Sequence, residues 1–291
     1  MKTQNVLKFL AASTPLEYPA GGVQSLFTFG DSYTTTGFNA SSTQPSPGNP
    51  MGNPALGDGT AADSVNWVGY LTTVYNDTPV LNYNLAVYGA TVNNSLIPNV
   101  PGDLVYQVEE IFETHYCRPA PGSDPLWTAD SALFAIWIGI NDIYFSSLDT
   151  DPSGSLEAIM QPYFELVDQL HGCGARHFLV INSPPLDRSP ELLDSERSMR
   201  ELYKALVEQF NCQLGDAAAV WASGHPDSTI SLYNASRFMS DVLDHPAEFG
   251  FLDASCVGEG CVWWDRFHPR SAFHRLLAED VALHLRGEVG V

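Results

Sequence analysis

Apolar residues along this chain fall into two alternating patterns. Short, nearly continuous runs with strand character occur at Ser25–Phe29, Val80–Val87, Ala132–Ile138, His177–Asn182 and Thr229–Tyr233. Such runs suit strands buried on both faces, whereas a half-exposed strand would alternate apolar with polar. Between them lie segments whose apolar positions recur at helical spacing: Asp63–Tyr75, Leu104–Tyr116, Leu156–Leu170, Ser195–Ala219, Ser236–Leu243 and Ala272–Leu285. A β-α-β-α order calls for parallel strands joined by right-handed crossovers. It predicts an α/β fold, a three-layer α/β/α sandwich around a five-stranded parallel sheet. In that architecture chemistry gathers at the carboxyl ends of the strands, where the connecting loops converge.

One domain over residues 21–291 is enough for this pattern, with residues 1–20 as an N-terminal extension. The Pro-, Gly- and Ser-rich stretch Ser41–Gly59 would separate strand one from its crossover helix if it were an interdomain linker. We therefore expect it to be a long loop near the site.

Composition narrows the partners. Asp and Glu number 34 against 13 Lys and Arg, a formal charge of -21, so phosphate-rich nucleic acid is repelled while a neutral sugar is not. No apolar run approaches the roughly 20 residues of a membrane helix. We expect a monomer acting on a small-molecule or oligosaccharide ester, with no nucleic-acid or membrane partner.

The five cysteines are odd in number, so at least one is free if the others pair internally. Only Val-Gly-Glu-Gly separates Cys256 from Cys261, and two glycines permit the reversal a disulfide between them needs. The pairing of Cys117, Cys173 and Cys212 is left open. Sequons at Asn39, Asn76, Asn93 and Asn234 point to export, but Lys8 interrupts the apolar stretch of Met1–Ala20, so no signal-peptide core can be drawn there.

Candidate chemistry falls just after the predicted strands. Strand one ends in Phe29-Gly30-Asp31-Ser32-Tyr33, which sets a serine past a strand end behind a glycine that permits a turn. A serine there also makes a good helix N-cap, so the tripeptide by itself decides little. The last loop reads Trp263-Trp264-Asp265-Arg266-Phe267-His268-Pro269. A neutral serine needs a base, and a histidine serves when a carboxylate orients its ring; Asp265 and His268, three apart in a turn, can face one another. Asp168 and His171 share that spacing, but they close a helix at the amino edge of the sheet, where His171 is better placed to interact with the helix dipole.

Tyr88-Gly89-Ala90 follows strand two, and Gly139-Ile140-Asn141-Asp142 follows strand three. A glycine N–H and an asparagine amide are suitable oxyanion donors, although each residue is also an ordinary turn or cap residue. Joined with the Ser32 N–H, they make an expected oxyanion hole of Ser32, Gly89 and Asn141. Asp31, Tyr33, Tyr88, Asp142 and Trp264 adjoin these motifs and are the expected substrate-binding side chains. Asp187 and Arg188 are expected to pair with each other.

As a set, Gly30-Asp31-Ser32, Gly89, Gly139-x-Asn141-Asp142 and Asp265-x-x-His268-Pro269 resemble the four blocks of SGNH/GDSL hydrolases, in order and over nearly the whole chain. Phe29–Gly37, Gln44–Pro50, Trp137–Asp142 and Pro184–Pro190 are further similar to fungal acetylesterases of carbohydrate esterase family sixteen. The resemblance implies a flavodoxin-like α/β/α fold, a Ser32-His268-Asp265 acyl-enzyme mechanism with no metal or cofactor, and removal of acetyl groups from xylo- or other oligosaccharides. A lipase-like hydrolase of longer-chain esters is the alternative, and a non-catalytic carbohydrate-binding protein is a weaker one. Secretion is also implied, with a cytoplasmic protein as the alternative.

Overall fold

A computed structural model of the chain describes residues 22–118 and 124–288. The expected extension, residues 1–20, lies outside the described residues. Five strands, β1 (Ser25–Gly30), β2 (Leu81–Asn84), β3 (Ala132–Trp137), β4 (His177–Ile181) and β5 (Thr229–Tyr233), form one sheet in the order β2-β1-β3-β4-β5. Every pairing is parallel, with Ser25 opposite Leu81 and Ala132, Leu133 opposite His177, and His177 opposite Thr229. β1 and β3 are buried at every position, the burden that their continuous apolar runs predict.

The helices are α1 (Trp67–Thr73), α2 (Glu113–His115, entered through a π-helical stretch Tyr106–Phe112), α3 (Ile140–Ser146), α4 (Pro152–Ala158) and α5 (Met160–Gly172). They continue with α6 (Pro190–Leu193), α7 (Arg197–Gly224), α8 (Ala235–Asp244) and α9 (Ser271–Leu285). α1 packs on α9 on one face, where Phe238 of α8 also meets Phe273 of α9, their rings 5.8 Å apart. On the other face Phe27 of β1 meets Phe112 of the π-helical stretch edge-on at 5.2 Å, and Phe178 of β4 meets Trp221 of α7 at 5.2 Å. The expected sandwich is thus the observed one.

Differences are local. The expected helix at 63–75 begins only at Trp67, because Asn66 caps it by accepting the Gly69 N–H, while Asp63 reaches across to Arg270 and the Ser271 N–H. The expected helix at 156–170 is two helices, the first started early by Asp151 as N-cap with Pro152 behind it. β2 ends at Asn84, three residues short of expectation, because the Asn84 side chain turns inward to donate to the Thr34 carbonyl and accept the Ala86 N–H.

The stretch 41–59 does not border the cavity described below. It lies beside edge strand β2, where the Pro50 carbonyl accepts the Asn82 N–H and covers an edge that would otherwise be open.

Cys256 and Cys261 form the expected disulfide, and Cys117 pairs with Cys173, which joins α2 to the end of α5; Cys212 is free and exposed. His171 closes α5 beside Asp227, at the amino edge, and Asp168 bonds Trp221 and His225 instead of His171. Arg188 pairs with Asp244 at 2.7 Å, not with Asp187 as expected, because the short 3-10 turn Leu186–Arg188 directs the guanidinium toward the carboxyl end of α8.

Candidate active site

The loop before α9 is folded on itself. The Trp264 N–H donates to the His268 carbonyl at 2.8 Å, and Asp265 Oδ1 accepts the backbone N–H groups of Phe267 and His268, both at 2.7 Å. This closure leaves Asp265 Oδ2 free to accept from His268 Nδ1 at 2.8 Å. A carboxylate there accepts only, so Nδ1 carries the proton and Nε2 presents its lone pair. That lone pair faces Ser32 Oγ at 2.9 Å. The structure therefore brings Ser32, His268 and Asp265 into one chain of hydrogen bonds, across 236 residues of sequence between serine and histidine. Burial would raise the Asp265 carboxyl, but the bonds from the His268 ring and from the Phe267 and His268 N–H groups outweigh it and hold it below its ordinary value.

Ser32 and His268 open onto a cavity of about 170 Å³. Gly89 and Asn141 line it beside them, and Ile140, Tyr144, Phe145, Leu186 and Phe267 supply an apolar wall. Gly89 turns at φ 78°, a left-handed conformation that a side chain would strain. Asn141 donates one amide hydrogen to the Ala90 carbonyl at 2.9 Å, which anchors its side chain to the Gly89 loop and leaves the second hydrogen for a ligand. A base-paired serine, an oriented imidazole and a fixed amide donor around one cavity are the parts that acyl transfer requires.

A family model described as GDSL-like lipase/acylhydrolase matches residues 26–281. The chain belongs to this GDSL (SGNH) hydrolase family. It is accordingly a carboxylic ester hydrolase. The GDSL hydrolase is 34% identical over 278 residues to an acetylesterase of Thermothelomyces thermophilus, an alignment covering 94% of this chain and 91% of the relative. It is 24% identical over 181 residues to an acetylesterase of Hypocrea jecorina, covering 58% of this chain and 50% of that one. Among solved structures it is similar in fold to a catalytic mutant of an acetylxylan esterase from Geobacillus stearothermophilus. That match has a TM-score of 0.51 at 15% identity and covers 91% of this chain and 94% of that one. A lipolytic G-D-S-L family protein from Veillonella parvula matches with a TM-score of 0.50 at 16% identity, covering 90% and 98%.

Not every expected binding residue of the GDSL hydrolase reaches the cavity. Asp31 is buried and holds the nucleophile turn from inside: its Oδ1 accepts the Tyr33 N–H at 3.0 Å, and its carbonyl accepts from Thr34 and Thr35. Asp142, also buried, accepts the Val92 N–H with both oxygens at 3.0 and 3.2 Å, tying α3 to the loop that carries Gly89. Neither carboxyl borders the cavity. Tyr33 borders the cavity, but its hydroxyl donates to the Phe267 carbonyl at 2.6 Å and its ring lies edge-on to Trp137, so it straps the serine loop to the histidine loop. Trp264 is exposed yet lies outside the cavity wall, its ring beneath the Arg270 guanidinium at 5.5 Å. Tyr88 alone of the five combines an exposed ring, 57% open, with a place in the cavity wall, 5.4 Å from the His268 ring.

Sequence reasoning missed the apolar wall, because Ile140, Tyr144 and Phe145 belong to a seven-residue helix too short for periodicity to reveal. It also missed two buried asparagines, Asn66 and Asn84, which both donate to the Thr34 carbonyl and brace the serine loop from behind.

Burial pushes the Asp142 carboxyl up from 3.8 to about 7, with the Val92 hydrogen bond opposing and the Asp103 charge adding to the rise. Because the folded value lies above the unfolded one, the stability this carboxyl contributes is full below about pH 4 and is lost as pH rises through 7. Asp142→Asn keeps an acceptor for the Val92 N–H but cannot ionise. Denaturant melts at pH 4.5 and pH 8 should therefore differ: the variant gains on the wild type between them, on the order of 3 kcal/mol. A difference independent of pH would contradict this.

Proposed function

We propose that this hydrolase removes O-acetyl groups from carbohydrates, acetylated xylo-oligosaccharides being the leading substrates, through an acyl-enzyme formed on Ser32. The observation that carries the proposal is the unbroken relay Asp265–His268–Ser32 at the mouth of a small cavity. Ser32 Oγ attacks the acetyl carbonyl carbon as its proton passes to His268 Nε2. The imidazolium so formed is stabilised by the Asp265 carboxylate. The N–H groups of Ser32 and Gly89 and the free amide hydrogen of Asn141 hold the oxyanion. The C–O bond to the sugar then breaks, and His268 returns the proton to the leaving hydroxyl. Water next attacks the acetyl-serine with His268 again as base, releasing acetate and restoring Ser32.

The substrate class rests on three supports. The cavity of about 170 Å³ must hold the acyl group and the ester atoms, which suits a two-carbon acyl better than a long chain. The exposed Tyr88 ring lies beside His268, the group that returns the proton to the leaving hydroxyl, and a flat aromatic face suits a sugar ring. The relative at 34% identity carries the name acetylesterase. Two disulfides favour an oxidising compartment, and we propose an extracellular site of action.

Acetate release from acetylated xylo-oligosaccharides, measured beside p-nitrophenyl acetate, butyrate and octanoate, tests the reading. We expect release from the sugar and a kcat/KM that falls from acetate to octanoate. A maximum at eight carbons would replace it with a lipid-ester hydrolase that uses the apolar wall, and saturable sugar binding without acetate release would replace it with a binding protein.

The oxyanion assignment has its own measure. Asn141→Ala should lower kcat about 10²–10³-fold with KM little changed. A variant within twofold of wild type would remove Asn141 from that role.

A further inference from the structure

Gly30 is the last residue of β1, and its peptide precedes the turn bearing Ser32. On one side it is pressed against β3: a Cβ at Gly30 would lie 2.1 Å from the Trp137 carbonyl oxygen, and its φ of 148° is open to glycine alone. On the other side β2 ends at Asn84; of the chain beyond it the Leu85 N–H still donates to the Thr28 carbonyl and the Val87 N–H to the Gly30 carbonyl at 3.1 Å, but no backbone carbonyl comes back to accept the Gly30 N–H. A buried strand end paired this way leaves its N–H without a backbone acceptor. The Gln107 side chain supplies the partner. Its Oε1 accepts the Gly30 N–H at 2.9 Å and its Nε2 donates to the Gly30 carbonyl at 2.8 Å, while the second Nε2 hydrogen goes to the Gly102 carbonyl at 3.1 Å. Gln107 is fully buried, and both of its amide hydrogens are committed.

We infer that Gln107 is a positioning residue for the nucleophile: its side-chain amide supplies the acceptor that the strand pairing leaves out, adds a second donor to the Gly30 carbonyl beside the Val87 N–H, and by fixing the Gly30 peptide aims Ser32 Oγ at His268. The inference rests on the proposed role of Ser32. Ser32 lies two residues beyond the clamped peptide, and both its hydroxyl and its N–H must point correctly at once. Misplacement by about 1 Å costs on the order of 10² in rate. The carrier of Gln107 is the π-helical stretch Tyr106–Phe112, a rare winding that recurs at functional sites.

Two variants test it. Gln107→Leu, of similar length, removes both bonds to Gly30. It should lower kcat on p-nitrophenyl acetate about 10–100-fold with KM within about threefold, and should slow phosphonylation of Ser32 by a fluorophosphonate in parallel. Gln107→Glu discriminates further. Buried among apolar neighbours, the new carboxyl holds its proton to higher pH than an exposed one. Protonated, it accepts the Gly30 N–H and donates to the Gly30 carbonyl as glutamine does; ionised, it faces that carbonyl with no donor. The ratio of Gln107→Glu to wild-type kcat should therefore rise about tenfold or more from pH 8 to pH 5, and a Gln107→Leu ratio should stay flat. If Gln107→Leu does not fold, the Gln107→Glu profile decides alone.

A lowered melting temperature with kcat and labelling within twofold of wild type, or a flat Gln107→Glu profile, would overturn the inference and leave Gln107 a packing residue. Activity surviving in Ser32→Ala would instead remove the reading beneath it. An inactive Ser32→Ala beside unaffected Gln107 variants overturns this inference only.

Discussion

Ser32→Ala should lower kcat on p-nitrophenyl acetate by about 10⁴–10⁶-fold while its melting temperature stays near that of wild type. The hydroxyl is a small group at the edge of a cavity, so its loss costs one hydrogen bond, to His268 Nε2. The chemistry, by contrast, loses its nucleophile. Residual rate over water would come from Gly89, Asn141 and binding, which the substitution leaves in place. His268→Ala should fall into the same range, and the double variant should be little worse than either single one, because groups that act as a unit are not additive. Initial rates with active-site titration of each protein measure this. A loss below tenfold in Ser32→Ala would refute the assignment.

Asp265→Asn should cost about 10⁴ in kcat, nearly as much as losing the serine, although it preserves the shape of the loop. Asparagine Oδ1 can still accept the Phe267 and His268 N–H groups, both at 2.7 Å in the wild type. The side-chain amide group then faces His268 Nδ1 as a donor, and the ring must answer with a lone pair. The tautomer reverses: Nε2 now carries a hydrogen, which points at Ser32 Oγ and cannot take its proton. Those same hydrogen bonds hold the wild-type carboxyl below its ordinary value, so Asp265 stays ionised and accepts from Nδ1 throughout the neutral range. An Asp265→Asn enzyme within tenfold of wild type would contradict the orienting role.

Much of this arrangement was legible in the residues. The strands were readable because Leu26, Phe27 and Phe29, then Leu133–Trp137 and Phe178–Ile181, are apolar and buried on both faces, a demand that few other structures make. Ser32, His268 and Asp265 were readable because topology, not spacing, separates productive from idle motifs; Asp168 and His171 show the same spacing at the opposite edge. Direction was the part that could not be read. Asp31 and Asp142 stand next to Ser32 and Asn141 in sequence, yet neighbours at a turn project oppositely, and both carboxyls point into the core to hold backbone N–H groups. Trp264 failed for the same reason. Gln107 stayed unread for another reason: one polar residue in an amphipathic stretch looks like part of a solvated face, and only the pairing at the end of β1 reveals the Gly30 N–H that it satisfies.

A serine nucleophile becomes covalently bound during turnover, so stoichiometric inactivation by diethyl p-nitrophenyl phosphate, followed by peptide mass mapping, should trap Ser32 Oγ. One phosphoryl group per chain on the peptide containing Ser32, formed in step with the loss of esterase activity and absent from Ser32→Ala, is the expected result. Full inactivation with the adduct on another residue, or labelling of Ser32→Ala at the wild-type rate, would contradict it.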